Sequence, residues 1–176
     1  MKKIYYLMLA MLMATTTLGL TACGDDDEDG PNGGGGDIVG TWKCNMLDYK
    51  DEIEDYDEIS EYTKSFDSYF KFEKDGHFTS VTVLYYTQQA VDKMKDYPGF
   101  ENPVVDVDKG TYTVSGNKLA VNYFGDDEDD NEVNFSVKGK TLTFSYIDEF
   151  DGKQRTIKFT KVNDNELDKY LKDTLK

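Results

Sequence analysis

From Ile38 onward the chain alternates apolar and polar residues with a period of two, in eight separate runs. Successive side chains of a strand point to opposite faces, so this alternation specifies half-buried strands rather than helices. The runs fall at about 38–47, 68–74, 77–86, 107–114, 118–124, 132–138, 141–147 and 154–162. One parity gathers the large apolar side chains, from Trp42, Phe70, Phe72, Phe78 and Leu84 through Tyr112, Leu119, Val121 and Tyr123 to Phe135, Leu142, Phe144, Tyr146, Ile157 and Phe159. Only the first run is ambiguous, because Gly40, Cys44 and Met46 share the parity of Trp42 while Val39 and Leu47 take the other.

The connections sort by length in strict alternation. Asp75-Gly76, Ser115-Gly116-Asn117 and Gly139-Lys140 have the composition of tight hairpin turns. The others, 48–67, 87–106, 125–131 and 148–153, are long or acidic. In an up-and-down meander alternate connections lie at opposite ends, which predicts an all-β, eight-stranded antiparallel barrel with a closed end and an open mouth. Within the second long connection, 87–96 reads as a short helix with Ala90, Val91 and Met94 on one side, placed to cover the mouth. A C-terminal helix at about 163–174, capped by Asn163-Asp164-Asn165 and carrying Leu167, Tyr170 and Leu171 at helical spacing, is expected to pack on the barrel wall.

Ahead of the barrel, Lys2 and Lys3 precede an apolar run from Ile4 to Ala14. It has the length of a signal-peptide core, roughly 7–15 residues, and is short for a membrane span of about 20. Residues 1–22 are therefore expected to be a leader, 23–37 a tether and 38–176 the single folded domain. Asp25 to Asp29 and the glycines from Gly30 to Gly36 have the composition of a flexible linker. Asp25, Asp27 and Asp29 imitate the start of a calcium loop, yet its twelfth position is Gly36 in place of a bidentate Glu, which excludes that reading. A net charge of −15 argues against nucleic acid, whose phosphates need Lys and Arg.

Leu20-Thr21-Ala22-Cys23 resembles the bacterial lipobox, and the acidic run after it resembles the surface-export signal of some Gram-negative lipoproteins. These resemblances imply an acylated Cys23, a lipid bilayer as partner, and a place on the outer face of the outer membrane. Consumption of Cys23 by lipid would leave Cys44 with no disulfide partner. Gly40-Thr41-Trp42 is similar to the Gly-x-Trp of lipocalins. The wider set of Ile38 to Lys43, Gly110 to Leu119 and Leu142-Thr143-Phe144 with Gly152 resembles the lipocalin-like domains of bacterial lipoproteins over about 38–162. In lipocalins an arginine near the end of the last strand covers the tryptophan at the closed end. Arg155, the only arginine, starts the last strand instead, so Lys161 is expected to cover Trp42, with Gly40 completing the closed end.

Chemistry is sparse. No nucleophile elbow, phosphate loop or Cys/His metal spacing occurs, no cofactor is implied, and the lone histidine, His77, reads as an exposed strand residue. A non-enzymatic monomer is expected. The lipocalin resemblance implies a small apolar ligand at or near the mouth, for which Tyr85, Tyr86, Tyr123, Phe124, Tyr146 and Phe150 are candidate lining residues. The alternative is a scaffold whose acidic, Tyr-rich loops bind a cationic protein, peptide or metal ion through Asp55, Asp57, Glu58, Asp126, Asp127 and Asp129. The tight turns carry Lys74, Lys118, Lys138 and Lys140, so the tethered end is basic and the mouth acidic.

Overall fold

A computed structural model describes residues 36–50, 56–124, 131–148 and 152–171. The leader, Cys23, nearly all of the tether and the candidates Asp55, Asp126, Asp127, Asp129 and Phe150 lie outside the described residues, as do the Glu58 side chain and the end of the C-terminal helix.

The eight strands are β1 (Gly40–Asn45), β2 (Thr63–Phe72), β3 (His77–Tyr86), β4 (Val104–Ser115), β5 (Lys118–Tyr123), β6 (Asn131–Lys138), β7 (Thr141–Ile147) and β8 (Gln154–Val162). They form one closed antiparallel barrel in sequence order, as the alternation of turn lengths predicts. Closure is made by β8 against β1, with Thr41 opposite Val162 and Trp42 opposite Lys161. The large apolar residues of the predicted parity form the inner core.

Two strands start earlier than the alternation suggests, β2 at Thr63 rather than 68 and β4 at Val104 rather than 107. In both, polar residues occupy inward positions and break the apolar rhythm. Main-chain pairing with β3, Phe66 and Val104 both opposite Leu84, holds these stretches in the sheet whatever their side chains. The first long connection shrinks accordingly. It holds a 3₁₀ turn at Met46–Asp48, begun by the Asn45 side chain accepting from Leu47 N at 3.1 Å, and helix α1 (Tyr56–Tyr62).

Helix α2 (Gln88–Met94) lies within the predicted span, its N-terminus capped by Thr87, whose Oγ1 accepts from Ala90 N at 3.4 Å. Helix α3 (Asn165–Leu171) packs outside the barrel. The outward parity of β2 and β3 is apolar exactly where it lands: Tyr69, Val81 and Val83 are buried with Leu167 and Tyr170 in a second cluster. Burying a side chain such as Leu167 is worth about 1.5–3 kcal/mol, enough to anchor a helix this short.

At the closed end Trp42 is fully buried and its indole Nε1 donates to Ile38 O at 2.7 Å. Lys161 Nζ lies 5.1 Å from the Trp42 ring centroid and donates to Val39 O at 3.2 Å. Gly40 makes room for that lysine. Its φ of +132° disfavours other residues, and a Cβ there would stand 2.8 Å from Lys161 Cε. Arg155 sits far from this point, opposite Tyr146 and paired with Asp148 at 3.1 Å.

Candidate functional site

Residues paired across neighbouring strands point to the same side of a sheet, so the register assigns the inner face row by row. Phe72, Phe78, Gly110 and Tyr123 form the row nearest the β2–β3 turn. The next comprises Trp42, Phe70, Ser80 and Asp108. Beyond it, toward the mouth, lie Cys44, Ser68, Thr82 and Asp106, and then Phe66, Leu84 and Val104. The inner face is therefore two-sided. Apolar side chains fill it from β5 to β8, while hydroxyls and carboxylates run across β2, β3 and β4.

Against the apolar side lies a cavity of about 50 Å³, bordered by Met46, Ser68, Phe70, Val121, Phe144 and Tyr146 together with further aliphatic and aromatic residues of β5, β6 and β8. Ser68 and Tyr146 are the lining residues that carry a side-chain oxygen. Ser68 is 1% exposed, and its Oγ has no hydrogen-bond partner among the described residues. Leaving such a hydroxyl unpaired costs about 1–3 kcal/mol.

The carboxylates on the polar side keep partial contact with solvent. The register of β4 with β5 begins at Gly110 opposite Tyr123, so the stretch that carries them lies beyond that pairing. Burial, and then the negative field of Asp106, push the Asp108 carboxyl up to about 6. Burial also raises the Tyr123 phenol, with Asp108 adding to the shift and a hydrogen bond to Ser80 opposing it. The Cys44 thiol is raised by burial and by Asp67 and Asp48, so it is a packing group with little thiolate character.

The residues expected to line a mouth pocket do not converge. Tyr146 borders the cavity. Tyr86 reaches the edge of the inner core and packs on Phe100, ring centroids 5.5 Å apart. Tyr85 has the opposite parity and belongs to the outer cluster, its hydroxyl 3.4 Å from that of Tyr170. Tyr123 is drawn toward the closed end, because the stagger of the barrel sets the last residue of β5 level with the start of β3; its ring lies 5.0 Å from Phe78. Phe124 is 63% exposed and lies outside, 6.3 Å from the exposed His77 ring. These placements correct the candidate pocket at Tyr85, Tyr123 and Phe124.

Of the candidate cation-binding residues, Asp57 is described, and it is exposed and paired with Lys50 at 3.1 Å. The tyrosines of that segment serve the fold. Tyr56 Oη donates to Leu47 O at 2.9 Å, and Tyr49 Oη bonds both Lys158 N, at 2.8 Å, and Lys158 O, at 3.1 Å. Among the described residues no group of three or more His, Cys, Asp and Glu side chains is arranged to hold a metal ion.

The closed eight-stranded barrel agrees with the outcome of comparison by sequence: the family model for the lipocalin-like domain matches residues 38–144. The chain belongs to the lipocalin-like domain family. Among curated proteins, none matches this chain. The matched span runs from Ile38 into β7, so it contains the mixed inner face of this lipocalin-like barrel.

One glycine of the lipocalin-like barrel now has a physical reason. Gly110 stands between Phe78 and Tyr123 in the bottom row, and a Cβ there would meet the Asn122 carbonyl oxygen and stand 2.6 Å from Phe78 Cε1. What the sequence pattern hid are Ser68, Asp106 and Asp108. Counting back by two from Tyr112 through Gly110 reaches Asp108 inside the run read from the sequence, and reaches Asp106 once β4 is known to extend to Val104.

Proposed function

We propose that this lipocalin-like protein is a non-enzymatic binding protein that takes a small apolar ligand, or the apolar part of one, into the barrel between Met46 and Tyr146. The cavity carries this reading. At about 50 Å³ it exceeds the 10–15 Å³ or so that one water requires, and its lining is aliphatic and aromatic apart from Ser68. A short alkyl or aryl segment is the occupant that such a lining favours. Hexan-1-ol is expected to raise the thermal midpoint of the full chain, and Val121→Phe, which fills the space, to abolish that rise. Indifference of the wild-type midpoint to hexan-1-ol and benzene alike would sink the reading.

The placement of the molecule is part of the same proposal. Lipobox-like Leu20 to Cys23 and the glycine-rich segment after it support an acylated Cys23 and a flexible tether. That tether meets the barrel at Asp37, beside the closed end, where Lys74, Lys138 and Lys140 are exposed. On an anionic bilayer those lysines would face the membrane and the mouth would face away. Metabolic labelling with an alkyne fatty acid is expected to mark the wild type and not Cys23→Ser, and protease added to intact cells is expected to shave the domain. Retention of Cys23→Ser in the membrane fraction, or protection from protease, would count against anchoring and surface display respectively.

A further inference from the structure

Among the described residues, Ser68 Oγ is the one buried side-chain nitrogen or oxygen without a hydrogen-bond partner. Other buried hydroxyls have theirs: Thr41 Oγ1 donates to Asp164, and Ser80 and the Tyr123 phenol bond each other. The register points Ser68 inward between Phe66 and Phe70 on β2, opposite Cys44 and Thr82. Neither neighbour serves it, since the Cys44 thiol is directed at Met46 Sδ, 3.5 Å away, and Thr82 is engaged elsewhere. Ser68 borders the cavity instead. Water answers it poorly there. A buried water makes about three hydrogen bonds, and among the described residues only Ser68 and Tyr146 bring a side-chain oxygen to this lining.

We propose that the cavity takes a small neutral carbonyl compound, whose oxygen accepts a hydrogen bond from Ser68 Oγ and whose alkyl part lies against Phe70, Val121 and Phe144. This rests on the cavity-binding reading given above and names the ligand class. Nothing holds the Ser68 hydroxyl where it stands, so rotation about its Cα–Cβ bond turns it to an occupant. A carbonyl oxygen accepts and carries no hydrogen of its own, so a single donor serves it. An alcohol brings a donor that calls for a second partner, and a hydrocarbon leaves Ser68 unpaired. A carboxylate would carry a charge into the cavity to meet one neutral donor. Ser68 on β2 therefore selects the head of the ligand, and the wall from β5 to β8 selects its body.

The test is NMR titration of the full chain at pH 7.5 with butan-2-one, butanoate and 2-methylbut-1-ene, which has the shape of the ketone with a methylidene group in place of the carbonyl oxygen. Ser68→Ala is expected to weaken the ketone about five-fold, the worth of one net hydrogen bond, and to bind the alkene as well as wild type or better. Butanoate is expected to show no binding. Equal effects of the substitution on ketone and alkene overturn this inference and leave the cavity reading standing, and butanoate binding as tightly as the ketone overturns it too. Failure of both neutral probes to bind the wild type overturns the cavity reading and the carbonyl inference together. The wild type alone supplies a readout that needs no variant: the infrared carbonyl stretch of bound butan-2-one is expected below its frequency in hexane, and a hexane-like frequency overturns the inference.

Discussion

Lys161 occupies the place over Trp42 that a planar guanidinium would fill, and a lysine fills it differently. Its ammonium touches the ring as a point charge while its stem crosses Gly40. Lys161→Ala removes the cation from the ring and the donor from Val39 O, and is expected to cost about 0.5–1 kcal/mol, the usual worth of an exposed cation–π contact. Urea unfolding followed by the fluorescence of Trp42, the only tryptophan, measures it directly. An unchanged midpoint would show that the lysine covers the ring without holding it. Ser68 argues in the other direction. Its hydroxyl is buried without a partner, so Ser68→Ala removes a desolvation penalty and is expected to stabilise the ligand-free protein by about 1 kcal/mol. A loss of similar size in the same urea titration would mean that the hydroxyl is satisfied in solution.

At the level of elements, the barrel is held shut on the mouth side of the β1–β8 seam by something other than a strand. Pairing between β1 and β8 covers Thr41 to Lys43 opposite Val162 to Thr160. Past that point the Tyr49 hydroxyl takes over, accepting from Lys158 N and donating to Lys158 O. Tyr49→Phe removes both bonds and is expected to destabilise the protein by about 1–2 kcal/mol. Hydrogen exchange at the Lys158 amide should then quicken while exchange along β2 and β3 stays slow; equal protection in both proteins would remove the latch from the account. The same segment shows where reading a sequence by pattern stops. Period-two alternation, turn composition and loop lengths were enough for the order and closure of the barrel, because apolar residues at one parity leave few other ways to bury them. The Tyr-rich stretch from Tyr49 to Tyr62 has no such period, and nothing in its pattern shows that the Tyr56 and Tyr49 hydroxyls bond Leu47 and Lys158. In β4 the loss is subtler. Asp106 looks like a loop residue, and only the pairing of β4 with Thr82 makes it part of the interior beside Asp108. Tyr123 escaped for a geometric reason, since barrel stagger is absent from any strand taken alone.

For the molecule as a whole, a net charge of −15 makes pH a lever on stability, and the interior contributes a component that can be separated from the surface. Asp108 has its pKa raised from 3.8 to about 6 by burial and by Asp106. Between those values the folded protein binds more protons at this site than the unfolded chain does. The stabilisation from protonating Asp108 is therefore fully present below about 3.8 and is lost as pH rises through about 6. Because the side chain keeps considerable contact with solvent, screening reduces the effect to about 1 kcal/mol. Asp108→Asn has no charge to desolvate, so it is expected to be more stable than wild type by about that amount at pH 7 and equal to it below pH 4 or so. Surface carboxylates are common to both proteins, and the difference between their urea midpoints across this range isolates Asp108. A gap that stays constant with pH would assign the gain to packing and leave the carboxylate ordinary.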